Sequence, residues 1–269
     1  MKIVTHVRPH LDEIMAVWLI DNYWPEGKGA KIEFIDNNER PEDVDQDPEV
    51  LYVGVGRGRF DEHRGVEGEC AAGLVWAELR ERNATLGDEE KKAIDKLVSW
   101  VREEDLGLNM KEPHREFSVP AVIEGWYLHH NKNSVAAVGL GVRILDALML
   151  TQRNSVRLER DWDKRVEFDS RFGKAVALQT DAERPAEYAY GQGFELAVIM
   201  NSSRTYRTIR ASAQSDIDLT DVAEEIRRRE SKAEWFLHHS KRMLILGGDH
   251  DAGAQPSQLD LPDMIDILK

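Results

Sequence analysis

The stretch that decides the fold is KIVTHVRPHLDEIMAVWLIDNYW, residues 2–24. Residues 2–5 form a short β-branched run that predicts a strand, and the apolar spacing of residues 11–24 predicts a helix packed along one side. A strand, a tight polar turn and a helix in this order are typical of the start of an α/β layer. At this turn lie the side chains that can bind a metal ion or exchange a proton: His6, His10, Asp12 and Glu13.

The alternation of strands and helices continues as far as the acidic helix that ends near Asp105. Residues 30–36 and 49–56 predict strands, and residues 68–83 and 88–105 predict helices. The second of these helices has acidic residues in its first turn, where the helix dipole favours negative charge. Strands that alternate with helices predict a largely parallel sheet, whose ligands bind beyond the C-terminal ends of the strands.

The second half of the chain has a different pattern. Residues 134–175 predict a mostly helical, strongly charged segment, and strands are predicted at 194–201 and 206–212. A capped helix is predicted from Thr220, and a strand from Lys241 leads into a glycine turn. The sequence therefore predicts an α/β protein with an N-terminal domain whose mostly parallel sheet is flanked by helices (1–152), a helical connector (153–170) and a smaller C-terminal α/β domain (171–269).

The composition limits the class of function. A net charge of −14 argues against a protein that coats long DNA or RNA, since such proteins neutralise phosphates with Lys and Arg. Cys70 is the only cysteine, which excludes an internal disulfide and is typical of a reducing compartment. No run of roughly 18 consecutive apolar residues occurs. We therefore expect a cytoplasmic protein with no membrane partner, and we leave a homo-oligomer open.

Two further stretches carry candidate metal ligands. Asp61, Glu62 and His63 follow a predicted strand and its glycines at 54–58, and Asp105 ends a predicted helix. Imidazole nitrogens and carboxylate oxygens together suit divalent ions such as Mn²⁺, Zn²⁺ or Fe²⁺. Each stretch alone is also compatible with a solvated loop. The residues by themselves leave both a metal centre and a polar surface open.

The order of the N-terminal motifs resembles that of the DHH phosphoesterase superfamily, which includes RecJ exonucleases, nano-RNases and family II inorganic pyrophosphatases. The matching elements are H-x-x-P-H-x-D (6–12), a strand with glycines, DEH (61–63) and Asp105. His10, followed by Asp12 and Glu13, is most similar to the Myg-type branch of metal-dependent RNA exonucleases. The resemblance implies an α/β catalytic domain that binds divalent metal.

The resemblance also implies a role for each matching residue. His6 and His10 would hold one ion, and Asp12 and Asp105 the other, with Glu62 in place of a histidine ligand of the family. The implied cofactor is one or two Mn²⁺ ions, which in such sites lie roughly 3.5–4 Å apart. Asp12 would act with His63 in catalysis, and His63 would contact the phosphate of the substrate.

The C-terminal half contains a second group of matches. TIRAS (208–212) and GGDHDAG (247–253) are similar to motifs of the DHH-associated substrate domain. The resemblance implies that this domain holds the far phosphate or the terminal nucleotide of the substrate. The side chains and backbone implied in that contact are Arg210, His250, Gly247 and Gly248.

Two positions depart from the family pattern. Gly54 stands where the family has an aspartate that bridges both ions, which takes one ligand from each ion. Glu62 replaces a histidine ligand and brings an additional negative charge. From the sequence, the centre could hold a single ion, recruit Asp36 or Asp61 as a replacement ligand, or bind no metal.

Three hypotheses about function follow. The preferred one is a metal-dependent phosphoesterase or exonuclease that hydrolyses phosphodiester bonds of short RNA or small nucleotides in a cleft between two domains. The alternative is a catalytically impaired nucleotide-binding or phosphate-binding protein on the same fold, disabled by Gly54. A phosphatase or pyrophosphatase acting on a small substrate differs from the first only in the shape of its pocket.

Overall fold

The computed structural model describes residues 1–129, 133–247 and 256–269. The chain divides into two compact units, Met1–Arg153 and Asn154–Lys269, here called the first and second unit. Each unit contains a sheet covered by helices, so the predicted α/β class is confirmed.

The sheet of the first unit is small and entirely parallel. It consists of β1 (Lys2–His6), β2 (Lys31–Ile35) and β3 (Val50–Tyr52), in the order β2-β1-β3. The central strand β1 pairs with both neighbours, because Ile3 lies opposite Ile32 on one side and Leu51 on the other. All three strands therefore end at the same edge, where the candidate ligands follow them.

Five helices belong wholly or partly to the first unit: α1 (Leu11–Tyr23), α2 (Ala71–Arg82), α3 (Asp88–Asp105), α4 (Val119–His129) and α5 (Ser134–Trp162). The prediction that α1 packs along one side was wrong, since every residue from Leu11 to Ile20 is buried. The reason is that α2, α3 and α4 all contact α1. The indole N–H of Trp18 also donates to Asp146 of α5 at 2.8 Å. This burial forces the polar side chains at the start of α1 into the interior.

The second unit is built on a six-stranded mixed sheet in the order β4-β5-β6-β7-β9-β8. Its strands are β4 (Val166–Ser170), β5 (Gly173–Gln179), β6 (Leu196–Met200), β7 (Arg207–Ala211), β8 (Phe236–Leu237) and β9 (Met243–Leu246). Its helices after α5 are α6 (Pro185–Gly191), α7 (Thr220–Arg229) and α8 (Leu261–Leu268). Successive residues of a strand face opposite sides of the sheet, so Ala175 and Ala177 join one hydrophobic core and Val176 and Leu178 join another.

The predicted connector at 153–170 is only partly helical. α5 ends at Trp162, and residues 166–170 form β4, which pairs antiparallel with β5. The sequence prediction of helix to residue 175 was therefore wrong at its C-terminal end. The charged residues around β4 mask its alternation. The chain reverses at residues 171–172, and Gly173 follows with φ of 109°, a conformation that glycine readily adopts.

α5 is long and apolar enough, by length and composition alone, to cross a membrane. A third of its most apolar 18-residue window is buried. The buried residues include Ala137, Leu145 and Met149, which recur at the spacing of one helix face. A core helix of a soluble protein meets the same criteria of length and composition, so the absence of a membrane partner stays a prediction.

The packing of α5 on α1 can be tested with two glycines of the same helix. A Cβ added at Gly141 would lie 2.6 Å from Cγ2 of Ile14, whereas one added at Gly139 would meet no atom of the described residues within 4 Å. We expect Gly141→Ala to lower the free energy of unfolding by about 1–3 kcal/mol through overpacking. We expect Gly139→Ala to raise it by about 0.5–1 kcal/mol, because alanine favours the helix. Urea unfolding of both variants measures the difference, and equal effects would contradict this packing.

Candidate metal centre

The first candidate ligands lie at the junction of β1 and α1. His6 is the last residue of β1 and is 4% exposed, and its Nδ1 lies 2.9 Å from the backbone oxygen of Val7. Its Nε2 lies 3.0 Å from Oε1 of Glu13, a side chain that is 3% exposed. Although burial alone would lower the pKa of His6, the hydrogen bond and the charge of Glu13 raise it to about 9. In the absence of metal the two residues therefore form a buried ion pair.

Glu13 also begins the helix. Its Oε2 accepts a hydrogen bond from the backbone N–H of His10 at 2.7 Å, in the reciprocal arrangement of a capping box. Burial would raise the pKa of Glu13, but the hydrogen bond and charge of His6 hold it below the ordinary range. The exposed ring of His10 lies beside that of His6, with centroids 5.3 Å apart. His6, His10 and Glu13 each contribute one donor atom to a group whose members lie within 4.8 Å of one another.

Asp12 is fixed by the second helix. Its two carboxylate oxygens accept hydrogen bonds from the backbone N–H groups of Ala71 and Ala72, each at 2.8 Å, at the N-terminus of α2. The N-terminal end of a helix favours a negative charge. Burial and the neighbouring charge of Glu13 nevertheless raise the pKa of Asp12 well above its ordinary value. The carboxyl group thus has a fixed position, and its ionised form is disfavoured.

After β3, a single turn of 3₁₀ helix, Glu62–Arg64, begins within the DEH motif, with Asp61 as its N-cap. Asp61 is buried, and its Oδ1 accepts a hydrogen bond from the backbone N–H of His63 and contacts the Nδ1 of the same residue, both at 3.0 Å. The side chain of His63 is 68% exposed. Glu62 lies deeper, with its side chain 13% exposed, and its Oε2 is buried without a hydrogen bond from any described residue. Nδ1 of His63 also lies 3.0 Å from Oε1 of Glu62, so both carboxylates position this ring, and only Oε2 of Glu62 is a free buried oxygen.

Asp105, at the end of α3, completes the cluster. One carboxylate oxygen each from Asp12, Glu62 and Asp105 lie within 4.8 Å of one another. Burial, together with the charge of Glu13, raises the pKa of Asp105, and burial raises the pKa of Glu62 to about 7. The three acids therefore resist ionisation at short range, and one of them has a buried oxygen without a hydrogen bond. Such a site fits a divalent cation that would balance the charge.

The structure places the ligands predicted from the sequence in two groups: His6 and His10 lie with Glu13, and Asp12, Glu62 and Asp105 lie together. The sequence named Glu13 among the side chains able to bind a metal ion, but the resemblance gave it no place in the ligand set. Asp36 is exposed, accepts a hydrogen bond from the N–H of Asn38 and belongs to neither group, so the structure gives it no part in the centre. Gly54 follows β3 with φ of 62°, and an added Cβ would lie 2.6 Å from both Cγ and Oε1 of Glu13.

A cavity of about 570 Å³ opens beside the cluster within the first unit. The candidate ligands His10, Asp12 and Asp105 form part of its wall. Arg8 also lines the wall, with its guanidinium carbon 5.3 Å from the centre of the Tyr127 ring. The remaining wall includes apolar side chains from α4: Pro120, Ile123 and Leu128. The cavity therefore combines carboxylates, a cation and an apolar surface.

The predicted substrate contacts of the second unit are only partly described. Arg210 lies in β7 on a cavity of about 770 Å³ that also contains Ser212, His238 and Arg242. Arg210 pairs with Met243 in the sheet, whereas Gly247 follows the far end of β9 and packs against the backbone of Thr205. The length of β9 therefore separates Gly247 from Arg210, and the part of both residues in substrate binding stays a prediction. Gly248 and His250 lie outside the described residues.

Comparison with known proteins shows only distant similarity to solved structures. No family model matches the chain, and no curated protein matches it. Among solved structures, RecJ in complex with Mg²⁺ from Thermus thermophilus is 14% identical with a TM-score of 0.32, and the match covers 99% of this chain and 48% of that one. The chain thus spans about half the length of that RecJ. A DHH domain from a member of the s1p family of ribosomal proteins is 12% identical with a TM-score of 0.35, covering 99% of this chain and 85% of that one. Likeness at this level establishes neither a family nor an activity, so the function has to be inferred from the side chains of the site.

The burial of Glu62, together with the charges of neighbouring carboxylates, predicts a pH-dependent loss of stability in the metal-free protein. The pKa of Glu62 rises from 4.5 to about 7 on folding, so the unfolded chain releases this proton first and the free energy of unfolding falls between these pH values. At pH 8 we expect the free energy of unfolding of Glu62→Gln to exceed that of the parent by about 1–2 kcal/mol. This is less than the full linkage value, because water screens the site. Near pH 4.5 we expect the variant and the parent to be equally stable.

Urea unfolding in EDTA at both pH values measures this effect. Glu67→Gln, which changes an exposed glutamate of the same loop, serves as the control and is expected to behave like the parent. A loss of stability at pH 8 in Glu62→Gln alone would show that the carboxylate is already balanced without metal.

Proposed function

We propose that the protein is a metal-dependent phosphoesterase that hydrolyses phosphodiester bonds of short RNA or small nucleotides. The observation that carries the proposal is the convergence of Asp12, Glu62 and Asp105 beside His6 and His10 at the edge of the sheet where the three strands end. Mixed nitrogen and oxygen donors suit Mn²⁺, which is the cofactor we propose. The order of motifs resembling the DHH superfamily supports the same function, with the Myg-type exonucleases as the most similar branch.

The chain's own residues have separable tasks in this function. Bound divalent metal supplies Lewis acidity toward a phosphoester oxygen. Asp12 is immobilised by α2, so its position does not depend on the substrate. The Nδ1 of His63 is held by Asp61, which leaves Nε2 of this exposed ring to contact a phosphate or to transfer a proton. These residues orient a phosphate between the carboxylates and His63.

The cavity beside the cluster supports a nucleotide-sized substrate. Its volume of about 570 Å³ lies within the range of small-molecule sites. Arg8 stacks on Tyr127 and forms no ion pair with a residue that the structure describes, so its charge is available for a phosphate. Tyr127 and the apolar side chains of α4 supply a surface for a base. We therefore propose that the phosphate faces the metal ligands while the base lies toward α4.

A non-catalytic nucleotide-binding or phosphate-binding protein is the second candidate. Gly54 favours it, because this position contributes no side chain to the centre. The cavity that contains Arg210 and Arg242 in the second unit would then be the binding site. This candidate predicts binding that is indifferent to chelators and has no turnover. A phosphatase or pyrophosphatase acting on a small substrate remains a variant of the first proposal.

Removal of one metal ligand tests the catalytic proposal. We expect the protein with Mn²⁺ to release mononucleotides from a short RNA, and Asp105→Asn to lower kcat at least about 100-fold, because a direct ligand is lost. Asp105 is preferable to Asp12 for this purpose, since Asp12 also anchors α2. Asp36→Asn, which changes an exposed carboxylate outside the cluster, is the matched control and is expected to retain full activity.

The catalytic proposal fails if the Mn²⁺-loaded protein is inert on short RNA, dinucleotides and bis(p-nitrophenyl) phosphate. Chelator-insensitive binding of a nucleotide under the same conditions would favour the second candidate. Hydrolysis of monoesters or pyrophosphate without cleavage of diesters would favour the small-substrate variant.

The role of Arg8 is testable separately from the metal. We expect Arg8→Ala to raise KM for the same substrate about tenfold or more, because a charge-assisted contact to phosphate is lost, and to leave the affinity for Mn²⁺ unchanged. Arg143→Ala, which changes an arginine on α5 that does not line the cavity, is the matched control. An unchanged KM in Arg8→Ala would assign the phosphate to another part of the cavity.

A further inference from the structure

We infer that Glu13 supplies the metal centre with a carboxylate in the space that a side chain at position 54 would otherwise fill. Glu13 and Gly54 then act as one unit, in which the helix provides the ligand and the strand end leaves room for it. This inference rests on the proposed function, because it assigns a further ligand to the same centre.

The geometry of the two positions carries the inference. An ideal Cβ on Gly54 lies 2.6 Å from both Cγ and Oε1 of Glu13, and 3.1 Å from its Cδ. The oxygens of an aspartate lie only two bonds beyond its Cβ. A carboxylate at position 54 and the carboxylate of Glu13 would therefore compete for the same volume at the end of β3. Any side chain at position 54 would have to displace Glu13.

The capping role of Glu13 does not account for this placement. The hydrogen bond to the N–H of His10 uses Oε2 only, and capping glutamates are ordinarily solvent-exposed. Here the side chain is 3% exposed, and Oε1 faces Nε2 of His6 at 3.0 Å. A donor atom of His10 also lies within 4.8 Å of a Glu13 oxygen. Glu13 therefore stands between two imidazoles, as a ligand of the same ion would.

The requirement for glycine at position 54 has a steric part and a conformational part. Its φ of 62° is in the left-handed region, which asparagine and aspartate tolerate better than other residues with side chains. Asparagine and aspartate are therefore suitable replacements once Glu13 is shortened. This makes it possible to move the carboxylate from the helix to the strand end and to compare it with an uncharged side chain of the same shape.

The experiment measures Mn²⁺ binding by titration calorimetry, without a substrate. Glu13→Gln keeps a capping side chain of equal size and removes the charge, and we expect it to weaken Mn²⁺ binding at least about tenfold. Glu13→Ala is expected to weaken it at least as much. Glu13→Ala with Gly54→Asp is expected to restore most of the affinity, whereas Glu13→Ala with Gly54→Asn is not. Circular dichroism of the metal-free variants checks that each one is folded.

The outcomes separate this inference from the proposed function. If Glu13→Gln binds Mn²⁺ as tightly as the native chain does, the inference is overturned and the proposed function stands. If the double variants with aspartate and with asparagine at position 54 bind Mn²⁺ equally well, a carboxylate at position 54 does not replace that of Glu13. An absence of Mn²⁺ binding by the native chain would overturn the proposed function, and the inference with it.

Discussion

Two consecutive carboxylates, Asp12 and Glu13, are buried in the first turn of α1, and the rest of the first unit is arranged around this constraint. An ionised carboxylate is stable in the interior only when it is hydrogen-bonded and its charge is balanced. Asp12 satisfies the first condition at the N-terminus of α2, and Glu13 satisfies it through His6 and the start of its own helix. The positions of α2 and of the β1 end are therefore tied to these two side chains.

The second condition, charge balance, is only partly met by the protein itself. His6 neutralises Glu13, whereas burial is the largest influence on the pKa values of Asp12, Glu62 and Asp105 and raises all three. Repulsion by neighbouring carboxylates adds to this effect and makes the ionised forms unfavourable. We expect such an imbalance to lower stability at neutral pH and to favour a divalent cation that balances the charge. This is the physical link between the packing of α1 and the chemistry we propose.

The two units differ in how completely they define a site. In the first unit, the candidate metal ligands and a cavity with cationic and apolar walls lie together. In the second unit, Arg210 borders a cavity with other basic and hydroxyl groups, whereas Gly247 lies beyond the opposite end of β7. The first unit therefore contains by itself the candidate ligands and the cavity on which the proposed function rests, whereas both basic and acidic side chains line the cavity of the second unit.

The amino-acid sequence by itself determined the α/β class, the strand-turn-helix start and most candidate ligands of the metal centre, because alternating apolar periods and clustered His, Asp and Glu are local patterns. α3 was predicted at its observed bounds, 88–105, from its acidic first turn and its apolar spacing. The hairpin of β4 and β5 was missed, since charged residues conceal the alternation there. Only the tertiary structure decided that residues 11–20 of α1 are all buried and that Glu13 occupies the volume beside Gly54. Both facts depend on contacts between segments distant in sequence, such as that of Trp18 with Asp146, which are 128 residues apart. No local pattern encodes which side chain will fill a space that a distant glycine leaves open.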